Sequence, residues 1–108
     1  MDLRSHDERA LDGVIPGSVH VPRSVLEWRV DADSGFSNPR VADRELELIL
    51  VCREGYSSSL AAASLRELGC TQAADLVGGF DAWRQAGLET IAAPAPANGL
   101  PGMEGPDR

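Results

Sequence analysis

The spacing of apolar positions changes along the chain, and each change marks an element. Residues 47–51, Glu-Leu-Ile-Leu-Val, form a short apolar run entered from charged residues and left through a glycine-containing loop. Too short for a helix and apolar at successive positions, this run predicts a central parallel strand covered on both faces. Residues 58–68 predict a helix, because Leu60, Ala61, Ser64, Leu65 and Leu68 recur at three- and four-residue spacing while Arg66 and Glu67 face away. Ser57 or Ser58 would cap its start, and Gly69 would end it in the left-handed conformation. A second strand is predicted over 73–77, closing at Gly78-Gly79, followed by a short helix over 81–86 with Gly87 as its stop. Upstream, 18–21 alternates as a strand between the turn Ile15-Pro16-Gly17 and Pro22. Residues 24–29 read as a helical turn or two, and 31–42 as an irregular connector. This alternation of strand and helix predicts an α/β domain with a mostly parallel sheet.

Composition narrows the picture. A chain of 108 residues has room for one core and not two, and 43% hydrophobic with 25% charged residues suits a globular domain. From Ile91 the sequence becomes rich in Ala, Pro and Gly, which divides it into a domain over 1–90 and a disordered tail over 91–108. No apolar run approaches the roughly 20 residues that span a bilayer. The start, Met1-Asp2-Leu3-Arg4, is charged at once and has no signal-peptide core. A cytoplasmic protein without a membrane partner is expected. The net charge of −7 also argues against nucleic acid, whose phosphates require clustered cations. The same acidity opposes the approach of small anions, so an anion site would have to act locally, through backbone donors and an Arg.

The two cysteines, Cys52 and Cys70, are too few for a disulfide framework, and no metal-ligand spacing surrounds them. Cys52 stands where the strand gives way to a Gly-containing turn and then a helix. Such a strand–loop–helix junction gathers backbone N–H groups at the positive end of the helix dipole, and a thiol there is stabilised as thiolate. Gly55 permits the turn, Ser57 and Ser58 offer hydroxyl donors, and Arg53 offers charge. By position alone Cys52 could equally be a small buried residue closing a strand. The Gly, Ser and Arg that follow it favour a reactive thiol.

The segment Cys52-Arg53-Glu54-Gly55-Tyr56-Ser57-Ser58 resembles the active-site loop C-x-x-G-x-S-S of single-domain rhodanese-like sulfurtransferases. Three further segments agree in order. Asp2-Leu3-Arg4 with Glu8 resembles the opening D-x-R-x-x-x-E motif, and Ile15-Pro16-Gly17-Ser18 with Val21-Pro22 resembles I-P-G-A…I-P. Leu76-Val77-Gly78-Gly79-Phe80-Asp81-Ala82-Trp83 resembles the closing L-x-G-G-x-x-A-W motif. The four segments extend the resemblance over residues 2–88.

The resemblance implies a rhodanese-like α/β fold whose N-terminal strand and helix are missing here, so that the native chain would begin further upstream. It implies sulfur transfer through a Cys52 persulfide, with a small sulfur-containing anion such as thiosulfate, or a persulfide, as donor and a thiol or cyanide as acceptor. No metal or organic cofactor is implied. Arg53, Glu54, Gly55, Tyr56, Ser57 and Ser58 would bind substrate, and Asp2 and Arg4 would fix the strand end beside the loop, with Glu8 as partner of Arg4. Many members carry Arg where this chain has Ser57, and Glu54 adds a negative charge, which leaves room for a donor other than thiosulfate. A non-catalytic interaction module and a persulfide carrier fed by a cysteine desulfurase remain alternatives. A phosphatase on the same fold would need H-C-x5-R, whereas Val51 and Ser58 occupy the His and Arg positions.

Elsewhere the expectations are structural. Cys70 lies at the far end of the helix, roughly 15 Å along it from Cys52, beyond disulfide reach. His20 reads as a packed or exposed strand residue, His6 as part of an opening loop without a partner, and Trp28 and Trp83 as core or helix-packing aromatics. The sequence carries no signal for oligomeric state.

Overall fold

The apolar run at 47–51 becomes a two-residue strand, β1 (Ile49–Leu50), paired in parallel with β2 (Ala74–Asp75) in the register Ile49↔Ala74 and Leu50↔Asp75. The computed structural model that shows this describes residues 1–95 and 99–108. Backbone bonds extend the pairing beyond the strands, from Ala74 N to Leu48 O (2.8 Å) and from Leu76 N to Leu50 O (2.9 Å). On the opposite edge the start of the chain lies alongside: Val51 N donates to Met1 O and Leu3 N to Val51 O, each at 2.8 Å. Asp2 forms parallel bridges with both Val51 and His20. The layer therefore runs His20, Asp2, β1, β2, with every one of these pairings parallel. The predicted strand at 18–21 survives only as bridges at Val19 and His20, and Pro22, which lacks an N–H, stands at its end. Burial on both faces was expected for the central run. Leu48, Leu50 and Val51 are buried, but Ile49 is 48% exposed, so one face is open there.

Among the described residues four α-helices flank the layer. α1 (His6–Asp12) stands where an opening loop was expected. Ser5 caps it, accepting from Glu8 N while the Glu8 carboxylate accepts from Ser5 N, a reciprocal box that satisfies two otherwise orphaned donors. Glu8 is thus committed to Ser5 and is not the partner of Arg4. A 3₁₀ turn (Arg23–Val25) leads into α2 (Leu26–Val30), close to the helical turns predicted at 24–29. α3 (Tyr56–Glu67) begins two residues earlier than predicted, and its N-cap is Gly55 at φ 95°, not Ser57 or Ser58. Its inward face is Ser58, Ala61, Ala62 and Leu65; Leu60, expected on that face, is 55% exposed. α4 (Gly79–Gln85) likewise begins two residues early, after Gly78 at φ 80°.

α3 packs across β1 and β2, and its Ala61 and Leu65 join Leu3, Val21, Leu26 and Leu50 in the core. Trp28 lies outside that core, 59% exposed with its ring 5.5 Å from that of Phe36. Trp83 is half-buried on α4, its indole N–H donating to Glu89 O at 2.8 Å.

The segment expected to be a disordered tail is instead held against the domain at Ile91 and again over residues 101–107. Val14 and Ile91 form an antiparallel bridge, exchanging bonds of 2.8 and 2.9 Å. Further on, Pro106 bridges Val19, Asp107 N donates to Ser18 O (2.7 Å), and Gly17 N donates to Asp107 O (2.6 Å). Arg29 Nε reaches Pro101 O (2.7 Å) and Asn38 Nδ2 reaches Gly102 O (2.9 Å). Composition misled because these anchors are polar and mostly backbone, in a segment with few apolar side chains to signal packing. Positions 96–98 of the expected tail lie outside the described residues. Among the described residues no helix is long and apolar enough to cross a membrane.

Candidate active site

Cys52 follows directly on the β1 edge, and the chain must then turn into α3. Gly55 makes that turn in the left-handed region, and the turn brings three polar groups onto the sulfur. Gly55 N–H donates to Cys52 Sγ at 3.1 Å and Ser58 N–H at 3.3 Å, while the thiol lies 3.2 Å from Ser58 Oγ. Both N–H groups stand at the start of the twelve-residue α3, where backbone partial charges favour an anion. The sulfur itself is buried.

A second helix holds the loop from behind. Phe80 N donates to Cys52 O (2.8 Å) and Asp81 N to Arg53 O (3.0 Å), so the first turn of α4 engages the loop carbonyls. This approach leaves no space for side chains. A Cβ on Gly79 would overlap Cys52 O and lie 2.7 Å from Arg53 O, and one on Gly55 would lie 2.9 Å from Gly78 N. Gly78 and Gly79 therefore belong to the site as the seat of the cysteine loop. Sequence reasoning had the Gly-Gly motif in view but assigned it no role here.

A cleft of about 370 Å³ opens over the loop, with Cys52, Arg53, Glu54, Tyr56 and Ser57 on its wall. Tyr56, 77% exposed, stands at the rim. Ser58, expected among the substrate-binding residues, lies fully buried beneath the sulfur and off the wall. Glu8, expected only as a partner of Arg4 beside the loop, also lines the cleft, and so does Arg23, which nothing local in the sequence placed near residue 52. The cations of this cleft face carboxylates. Arg23 pairs with Glu27, Arg53 Nε lies 3.9 Å from Asp81, and Arg4 is bound to Asp2.

Arg4 lines the cleft and is paired with the buried Asp2. Arg4 Nε and Nη2 donate to the two Asp2 carboxylate oxygens at 3.1 and 3.0 Å, and Nη2 also reaches Gly13 O (2.9 Å). The guanidinium stacks 3.7 Å from the ring centroid of Phe80, the α4 residue that holds Cys52 O. The pair thus buttresses the helix that seats the loop. Burial alone would raise the Asp2 carboxyl, but hydrogen bonds and charge from Arg4, with Arg9 adding to them, outweigh it and hold the group below its ordinary value. His20 Nε2 lies 2.7 Å from Arg4 O, its ring edge-on to His6 at 4.8 Å, and burial depresses its protonation. His6 thus has the ring partner that the sequence did not reveal.

A separate cavity of about 320 Å³ is lined by His6, Arg9, His20 and Asp107 and contains neither cysteine. Cys70 is buried and free, and burial pushes its thiol up, away from the thiolate. Among the described residues no three His, Cys, Asp or Glu side chains are grouped to hold a metal.

With this geometry in place, comparison with known proteins is decisive for the family. The model of the rhodanese-like domain matches residues 1–86. The chain belongs to the rhodanese-like domain family. Its curated relatives include the adenylyltransferase and sulfurtransferase MOCS3 of Oryza sativa subsp. japonica, 34% identical over 61% of this chain and 16% of that protein. Another is adenylyltransferase and sulfurtransferase MOCS3-1 of Zea mays, 32% identical over 77% of this chain and 17% of its own length. A third is the adenylyltransferase and sulfurtransferase UBA4 of Lodderomyces elongisporus, 31% identical over 79% and 19%. The rhodanese-like chain thus spans less than a fifth of these relatives. Among solved structures it superposes on RPA3614 of Rhodopseudomonas palustris CGA009, a protein of unknown function titled a possible tyrosine phosphatase. The TM-score is 0.79 at 34% identity, covering 83% of this chain and 67% of that one.

Proposed function

We propose that this rhodanese-like domain is a sulfurtransferase that carries sulfane sulfur as a persulfide on Cys52, from thiosulfate or a persulfide donor to a thiol or cyanide. The observation that carries the reading is the sulfur itself, placed between the Gly55 and Ser58 N–H groups and the Ser58 hydroxyl at the head of α3. In the first step the Cys52 thiolate attacks the outer sulfur of thiosulfate. A bond forms between the two sulfurs, the thiosulfate S–S bond breaks, and sulfite leaves with the electron pair. In the second step an acceptor such as cyanide bonds to the outer sulfur and the pair returns to Cys52, regenerating the thiolate. Dividing one transfer into two displacements is ordinary covalent catalysis. By analogy with oxyanion donors, each well-aimed N–H is worth about 3 kcal/mol of barrier.

The sulfurtransferase names of the curated relatives support the reading. So does the loop chemistry, against the phosphatase possibility raised for the bacterial neighbour: Val51 and Ser58 stand where a cysteine phosphatase places His and the phosphate-binding Arg. Because the cleft arginines face carboxylates, a persulfide donor fits as well as thiosulfate does.

The test is incubation with thiosulfate, or with a low-molecular-weight persulfide, followed by intact-mass measurement. The expected result is a gain of one sulfur atom in the parent protein and none in Cys52→Ser. A folded parent that takes up no sulfur from either donor overturns the proposal.

A further inference from the structure

The Ser58 side chain meets the sulfur from beneath and does not line the cleft. It is fully buried, and the partner of its hydroxyl among the described residues is Cys52 Sγ at 3.2 Å. The direction of that bond depends on charge. A neutral thiol donates its proton to Ser58 Oγ, which leaves the hydroxyl proton buried without an acceptor. A thiolate accepts from the hydroxyl and from the two N–H groups together, and every proton is then placed. Since an unmatched buried donor is costly and a bond to an ion is strong, the hydroxyl favours the sulfur as an anion.

We propose that Ser58 is a positioning residue that acts chiefly on the discharge of sulfur, by holding Cys52 Sγ as the leaving thiolate. The inference rests on the persulfide reading above. In the persulfide, Sγ is a neutral bridging atom and a poor acceptor. As the acceptor nucleophile bonds to the outer sulfur and the S–S pair returns to Sγ, negative charge grows at the atom that Ser58 Oγ faces. The hydrogen bond is therefore stronger in the transition state than in the persulfide, which is the condition for acceleration. During loading the charge moves the other way. A better-held thiolate is a better leaving group but a weaker nucleophile. Ser58 thus accelerates discharge, and it assists loading only at pH values where thiolate is scarce.

The experiment compares the parent with Ser58→Ala and Ser58→Thr, with folding checked by circular dichroism. One readout is iodoacetamide alkylation of Cys52 against pH, localised by mass spectrometry. The other is single-turnover loading by thiosulfate and discharge to cyanide, above the alkylation midpoint. In Ser58→Ala the alkylation midpoint should move up by about one pH unit, and discharge should slow roughly tenfold with loading undiminished. Ser58→Thr, which keeps the hydroxyl, should restore the parent behaviour. Superimposable alkylation profiles, or loading and discharge slowed in parallel, overturn the proposal. If no variant takes up sulfur, the sulfurtransferase reading fails on its own, and the alkylation profiles alone decide the hold of Ser58 on the thiolate.

Discussion

Asp107 grips Arg9 across 98 positions of chain, its carboxylate accepting from both terminal guanidinium nitrogens at 3.1 and 2.8 Å. Ser18 Oγ donates to the same carboxylate (2.8 Å), and Arg9 passes its charge on to Asp2 (2.8 Å). The last residues of the chain are therefore joined, through buried ions, to the pair beneath the cysteine loop.

Removing one end of that link should be severe. Asp107→Ala leaves Arg9 buried with Asp2 as its sole counter-ion among the described residues, and loss of one partner of a buried pair costs about 3 kcal/mol. Urea unfolding should show this as a lower midpoint at unchanged slope, and a midpoint within experimental scatter of the parent would contradict it.

Acid should weaken the fold in two stages. Burial depresses His20, so the unfolded chain binds a proton there more readily than the folded one. Stability that is complete above the ordinary His value of 6.5 is lost as pH falls through it toward the lower folded value. Asp2, also depressed, contributes above the ordinary carboxyl value of 3.8 and loses that contribution only at still lower pH. Unfolding midpoints followed from pH 7.5 to about 5 should therefore fall in the parent and fall less in His20→Gln.

Gly79 should tolerate no side chain. Its φ is +62°, and an added Cβ would meet the carbonyl oxygens of Cys52 and Arg53. Gly79→Ala should cost about 2 kcal/mol of stability. More tellingly, it should lower the rate of Cys52 alkylation or sulfur loading at least tenfold, because α4 must draw back from the loop. Parent-like rates would show that the loop does not depend on this seat.

Glu54 is an exposed carboxylate on the cleft wall. Glu54→Gln should tighten thiosulfate binding about threefold at low ionic strength, with the gain fading at 0.5 M salt as screening shortens the range of the charge. Equal KM values at both salts would remove Glu54 from the account of donor preference.

What the sequence disclosed was the part written in local patterns. The run before Cys52 and the helix after it are visible because consecutive residues share an environment, and the cysteine loop is visible because its chemistry is contiguous. Ser57 and Ser58 were misread as helix caps because cap preference is a local rule. In the folded chain Gly55 makes the turn, and the N–H and hydroxyl of Ser58 go to sulfur. The box of Ser5 and Glu8 was available as a pattern, but Glu8 was assigned to Arg4 and the helix behind the box went unseen. Leu60 obeys an apolar spacing that the packing does not use, and Trp28, expected as a packing aromatic, stands outside the core. Asp107 shows the firmest limit: no window of sequence contains both it and Arg9.

The contact of Gly55 with Gly78 has a consequence for substrate size. Here two stretches of backbone touch without side chains between them, so the bowl around Cys52 has a fixed circumference. An insertion between Cys52 and Ser58 could not bulge at Gly55 unless α4 moved away, and that movement would free the carbonyls of Cys52 and Arg53. Widening the bowl thus requires the cysteine loop and the first turn of α4 to move together, although they lie far apart in the sequence.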